Sequence, residues 1–216
     1  RLALGTSMAG IVFNSLASMR AHHRHGAVSW PTVWQISPGI IVGTLAGSQL
    51  VRVLATEVLA MIFAIFLVLI AIQMAVNLKP KPSRVLPGML GMGATGSAIG
   101  LIMSLIAGGG GVLSVPFLLW CNFDVRRAIG TSAAIGFPIA VSGTIGYLIA
   151  GYGVSDLPPW SLGFVYLPAL VGVVLASTLT ARYGADAAHR LPVRTLRQAF
   201  AGLLLLVAGR MLLRML

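Results

Sequence analysis

Long apolar runs separated by short charged stretches make up almost the whole of this 216-residue chain. Seven long runs and one short one can be marked, at 2–19, 31–51, 54–77, 86–106, 112–121, 126–150, 160–181 and 193–216. About 20 apolar residues carry a helix across a bilayer. The short run, Val112–Cys121, is about half that length. The pattern predicts an all-α polytopic membrane protein of seven to eight helical segments, with no room for a separate soluble domain.

Composition strengthens that reading. Hydrophobic residues make up 57% of the chain and charged residues only 9%, whereas a soluble domain carries about a quarter charged residues. The net charge of +11 comes from 15 Lys and Arg against 4 Asp and Glu. In a soluble protein such a balance would point to nucleic acid. Here the cations sit between apolar runs without interleaved aromatics, so a lipid bilayer is the expected partner and nucleic acid is not.

The distribution of cations gives an orientation. Arg20 and Arg24 lie in 20–26 with His22, His23 and His25, and Lys79, Lys81 and Arg84 lie in 79–84. Arg126 and Arg127 lie in 122–127, and Arg182, Arg190, Arg194 and Arg197 in 182–197. The stretch 50–57 has Arg52 with Glu57, and 151–159 has no cation. The positive-inside rule assigns the four rich stretches to the cytoplasm. The runs 86–106 and 112–121 must then leave and return to the same side. Arg210 and Arg214 near the far end break the bias mildly, and snorkelling accommodates them.

An internal repeat emerges from this frame. Ala3-Leu4-Gly5-Thr6-Ser7 recurs as Ala128-Ile129-Gly130-Thr131-Ser132. Gly43–Ser48 pairs with Gly172–Ser177, each after a proline, Pro38 or Pro168. The loop charges send the first copy inwards and the second outwards. This predicts inverted repeats at 1–78 and 79–216 within a single transmembrane domain, a construction typical of secondary transporters with a midplane site. A complete first repeat would need its own glycine-broken hairpin before Leu2. Its absence leads to the expectation that the natural N-terminus is missing here.

Candidate chemistry concentrates at Gly108, Gly109, Gly110 and Gly111, followed by Ser114 and Pro116. Four glycines interrupt a helix, and irregular backbone at membrane depth must face protein or a watery cavity. A short helix after the break would present free N–H groups to an anion, with Ser114 as a further donor. A tight turn for close helix packing explains the same residues equally well. The hydroxyls of Thr6, Ser7, Thr131 and Ser132 can bind substrate or cap a helix. Ser7, Asn14 and Ser18 share one helical face, fit either for a pathway or for interhelical hydrogen bonds.

Other chemistry finds little support. Glu57, Asp124, Asp156 and Asp186 all lie at run ends or in loops, where they suit neither a cation relay nor paired acid–base catalysis. The lone Cys121 and the loop histidines His22, His23, His25 and His189 show no metal-ligand spacing. No metal, cofactor or enzymatic activity is expected.

The string Gly108–Pro116, then Arg127–Ala133 and Ser142–Tyr147, resembles the TauE/SafE sulfite-exporter family, with weaker support from His25-Gly26 and Pro38–Gly43. The resemblance covers most of the chain. It implies a permease of a prokaryotic cytoplasmic membrane, moving anions such as sulfite, sulfonates or related organosulfur acids. A passive anion channel and a non-transporting assembly factor are the rivals; a homo-oligomer stays open.

Overall fold

The computed structural model describes residues 1–76, 85–154, 157–190 and 193–213. Among them are eight helices: α1 (Leu2–Arg24), α2 (Trp30–Val53), α3 (Thr56–Val76), α4 (Met89–Leu105), α5 (Gly111–Trp120), α6 (Val125–Ala150), α7 (Leu167–Arg190) and α8 (Val193–Leu213). A two-stranded hairpin, β1 (Ser161–Leu162) and β2 (Val165–Tyr166), precedes α7. The all-α polytopic fold expected from the pattern is the one observed. Four helices, α1, α2, α6 and residues 56–73 of α3, are long and apolar enough to cross a membrane.

Two boundaries differ from the hydrophobic runs. Helix α1 continues through Arg20–Arg24, because cations in a last turn are favoured by the helix dipole, so most of that basic stretch is helical. Helix α7 begins at Leu167 rather than near 160. Trp160 and Gly163 have φ values of 69° and 52°, which turn the chain into the hairpin instead of a helix. Lys79, Lys81, Arg84, Asp156 and Arg214 lie outside the described residues.

The chain forms two compact units, one of Arg1–Val53 with Pro80–Leu170, the other of Leu54–Lys79 with Val171–Leu216. In the second, α3 and α8 pack on each other, and the small side chains Ala64, Ala71, Ala201 and Ala208 are buried.

The first unit is built on backbone-to-backbone helix contact. A Cβ on Gly39 would run into the Gly93 carbonyl, and one on Gly43 into the Ser97 carbonyl; at Gly47 it would lie 2.8 Å from the Leu101 carbonyl. Constant spacing along this series means that α2 and α4 run parallel. Small residues every fourth position let transmembrane backbones approach closely, and dispersion then holds them together. Gly143 and Gly146 of α6 face Thr44 and Ser48 of α2, so α2 and α6 are parallel too. In contrast, Gly136 faces Ser15 while Gly143 faces Met8, which makes α1 antiparallel to α6. Helices α2, α4 and α6 therefore start at one end, the end of Arg20, Arg24, Arg126 and Arg127.

Candidate functional site

Helix α4 and helix α6 point the same way, so the short α5 between them returns the chain. How α4 stops is specific. Ala107 takes a left-handed φ of 47°, its N–H donates to the Ser104 carbonyl at 3.3 Å, and the Gly108 N–H donates to the Met103 carbonyl at 2.9 Å. This pair of bonds is a Schellman motif, formed at an alanine instead of the usual glycine. Tyr147 Oη donates to the same Ser104 carbonyl at 2.7 Å, tying the last turn of α4 to α6.

The glycines then lay the chain on the middle of α6. A Cβ on Gly110 would lie 2.9 Å from the Gly136 nitrogen and 3.2 Å from the Ser132 carbonyl. Gly136 stands near the centre of the 26-residue α6. Helix α5 has 10 residues, about 15 Å at 1.5 Å per residue. It is thus a half-membrane helix whose N-terminus lies at mid-depth.

That N-terminus lacks a side-chain cap. Its first satisfied amide is that of Ser114, which donates to the Gly110 carbonyl at 3.1 Å. The amides of Gly109, Gly110, Gly111, Val112 and Leu113 make no hydrogen bond among the described residues. A Cβ on Gly109 would meet nothing within 4 Å, and one on Gly111 only Ser132 Oγ, at 3.9 Å. Gly111 and Val112 are exposed, whereas Gly110 is buried against α6.

Two hydroxyls complete this group. Ser114 is fully buried and Ser132 is 1% exposed, and neither oxygen has a hydrogen-bond partner in the protein. A buried hydroxyl left unsatisfied costs roughly 1–3 kcal/mol. Ser114 is one turn beyond Gly110 and so shares the helix face that meets α6. Free amides at a helix start, two donor hydroxyls and no acid among them form a chemistry suited to a small oxyanion.

The remaining candidates have other surroundings. Thr131 Oγ1 accepts the Ser29 N–H at 2.9 Å, and Thr6 Oγ1 accepts the Tyr166 N–H at 3.0 Å. Both hydroxyls serve loops that precede a helix. Ser7 and Asn14 are exposed. The α1 side chain that reaches Gly136 is instead Ser15, whose Cβ would lie 3.8 Å from a Cβ on that glycine. The structure thus brings Gly110 and Gly111 onto Ser132, with Ser114 one turn further along α5, while the Thr6 hydroxyl serves the loop before α7 and Ser7 and Asn14 are exposed. Sequence reasoning missed Gly136 and Ser15. Their signal would have been a glycine and a small polar residue at mid-helix. It also missed Thr44, a buried hydroxyl without a partner where α2 meets α4 and α6.

Comparison with known proteins agrees with this architecture. The family model for the sulfite exporter TauE/SafE matches residues 1–211. The chain belongs to the TauE/SafE family. A probable membrane transporter protein of Haemophilus influenzae is 35% identical across 98% of this chain and 81% of its own length. The probable membrane transporter protein YdhB of Bacillus subtilis is 28% identical, covering 94% of this chain and 84% of its own. A further probable membrane transporter protein, MJ0441 of Methanocaldococcus jannaschii, is 25% identical over 94% and 76%. No solved structure matches the chain. This TauE/SafE member is therefore a multi-pass membrane protein of a transporter family.

Proposed function

We propose that the chain is a secondary transporter of small oxyanions, with sulfite and sulfonates as the substrate class, in the cytoplasmic membrane of a prokaryote. The observation that carries this reading is the pair of unpartnered hydroxyls, Ser114 and Ser132, beside the uncapped start of α5. An oxyanion accepts several hydrogen bonds at once, so it would satisfy amides and hydroxyls that the protein leaves unmatched. The dipole of α5 adds a favourable field. Among the described side chains of this unit, the acid Asp124 is engaged at the start of α6, where it accepts the Arg127 N–H at 3.0 Å. The family's transporter character supports translocation over catalysis. The antiparallel course of α1 and α6, which carry the two Gly-Thr-Ser motifs, supports inverted repeats that alternate access around the midplane.

Uptake of labelled sulfite and a labelled sulfonate into proteoliposomes tests this. Saturable flux with counterflow is expected. Flux that is linear in concentration and shows no counterflow would point to a channel, and no anion flux would refute the proposal. The variant Gly109→Ala sharpens the test, because its methyl enters open space. It should fold normally yet lose about tenfold in flux if an anion must approach that amide, a step of about 1.4 kcal/mol.

A further inference from the structure

A second feature of the first unit is independent of the anion site. Helices α1, α2 and α6 enclose a groove of about 370 Å³, walled by Met19, Trp30, Trp34, Ile41, Phe137 and Ile145 among others. Its two hydroxyls have no proton left to donate to a polar ligand. Ser37 Oγ donates to the Val33 carbonyl and Ser142 Oγ to the Pro138 carbonyl, each at 2.6 Å. The wall is therefore apolar along its length. Trp34 is 71% exposed and Ile145 47% exposed, so the groove opens sideways.

Length and charge say what fits. From Trp30 to Ile41 the groove follows α2 for about 16 Å, at 1.5 Å per residue. That is about half of a 30 Å hydrocarbon core, the depth of one leaflet. The groove starts at the basic end of the unit. Met19 adjoins Arg20, and Trp30 Nε1 donates to His23 Nδ1 at 3.1 Å, which joins the rim to the last turn of α1 that holds Arg24. Arg126 and Arg127 start α6 at the same end. The acid there, Asp124, is engaged with the Arg127 amide.

We propose that this groove seats an acyl chain of an anionic phospholipid whose headgroup rests on Arg20 and Arg24. Arg and Lys side chains close to the membrane surface attract anionic headgroups, each contributing a modest but additive share. A zwitterionic lipid would fill the same apolar volume without that attraction.

Tryptophan quenching tests the proposal, with phosphatidylglycerol as the anionic probe. The doubly substituted W120F/W160F protein keeps tryptophan only at Trp30 and Trp34. It is reconstituted in phosphatidylcholine vesicles containing a small fraction of brominated phosphatidylglycerol or, in parallel, brominated phosphatidylcholine. Quenching by the anionic lipid should be several-fold greater. The excess should fall with added salt, which screens exposed charge, and vanish in Arg20→Gln/Arg24→Gln. Equal quenching by both lipids overturns the proposal, as does an excess insensitive to salt and to the arginines. Absence of quenching by either lipid, the result if a second copy of the chain covers the groove, overturns it as well.

Discussion

The two Gly-Thr-Ser motifs begin alike and end differently. A Cβ on Gly130 would strike the Ala27 carbonyl, and one on Gly5 the Phe164 carbonyl. Thr131 then holds the amide of Ser29, two residues after Ala27, and Thr6 holds that of Tyr166, two residues after Phe164. Each clamp fixes the start of the next helix, α2 at Trp30 and α7 at Leu167. Since α1 and α6 are antiparallel, the clamps lie at opposite ends of the unit. Only the serines diverge. Ser132 is buried beneath the glycine break, whereas Ser7 is exposed. Glycine and threonine serve the scaffold in both motifs, and only the second serine lies beside the candidate anion site.

The largest effects should come from the shared part. Gly5→Val and Gly130→Val both push side-chain atoms into a backbone carbonyl that cannot move aside cheaply. Overpacking typically costs 1–3 kcal/mol, and a collision with backbone falls at the upper end, about 3 kcal/mol for each. Thermal unfolding in detergent should show similar losses for the two. Tolerance of one and not the other would break the equivalence of the clamps.

The serines should separate function from stability. Ser132→Ala removes a donor from the proposed site and, at the same time, a buried hydroxyl that nothing in the protein satisfies. Anion flux should fall about tenfold, or about 1.4 kcal/mol, with stability unchanged or slightly raised. Ser7→Ala should leave flux within about twofold, since surface substitutions of this kind stay within about 0.5 kcal/mol. Equal loss in both variants would place Ser7 in the pathway and undo the contrast. Equal indifference would remove Ser132 from the site.

Much of this is readable from the residues. The eight helices follow from the apolar runs, because lipid rewards uninterrupted helix wherever the side chains are apolar. The half-length of α5 is visible in Val112–Cys121. Packing partners are less accessible. The spacing of Gly39, Gly43 and Gly47 announces close approach but not that α4 is the helix approached. The hydroxyl of Thr131 could as well bind substrate as cap a loop, because the choice depends on where Ser29 comes to rest, a contact over a hundred positions away. The repeat register also needs three dimensions. The clamps align Pro31 with Pro168, one residue into each helix, whereas local similarity aligns Pro38 with it. A pattern of small residues repeats within itself, so it fits nearly as well when slid by two turns.

The smallest effect concerns whether the clamps communicate. Thr6→Val and Thr131→Val keep side-chain volume and remove the acceptor of one backbone N–H. Loss of a capping hydroxyl costs about 1 kcal/mol, and both variants should show it in thermal unfolding. The double variant then decides more than either single one. The clamps share no partner and stand at opposite ends of α1 and α6, so in a scaffold with one packed arrangement their losses should add to within about 0.5 kcal/mol. A larger coupling would mean that opening one end changes the energy of the other. That is the behaviour alternating access requires between its two end states. Additivity in detergent, together with non-additive loss of flux in vesicles, would place the coupling in the transport cycle itself rather than in the resting fold.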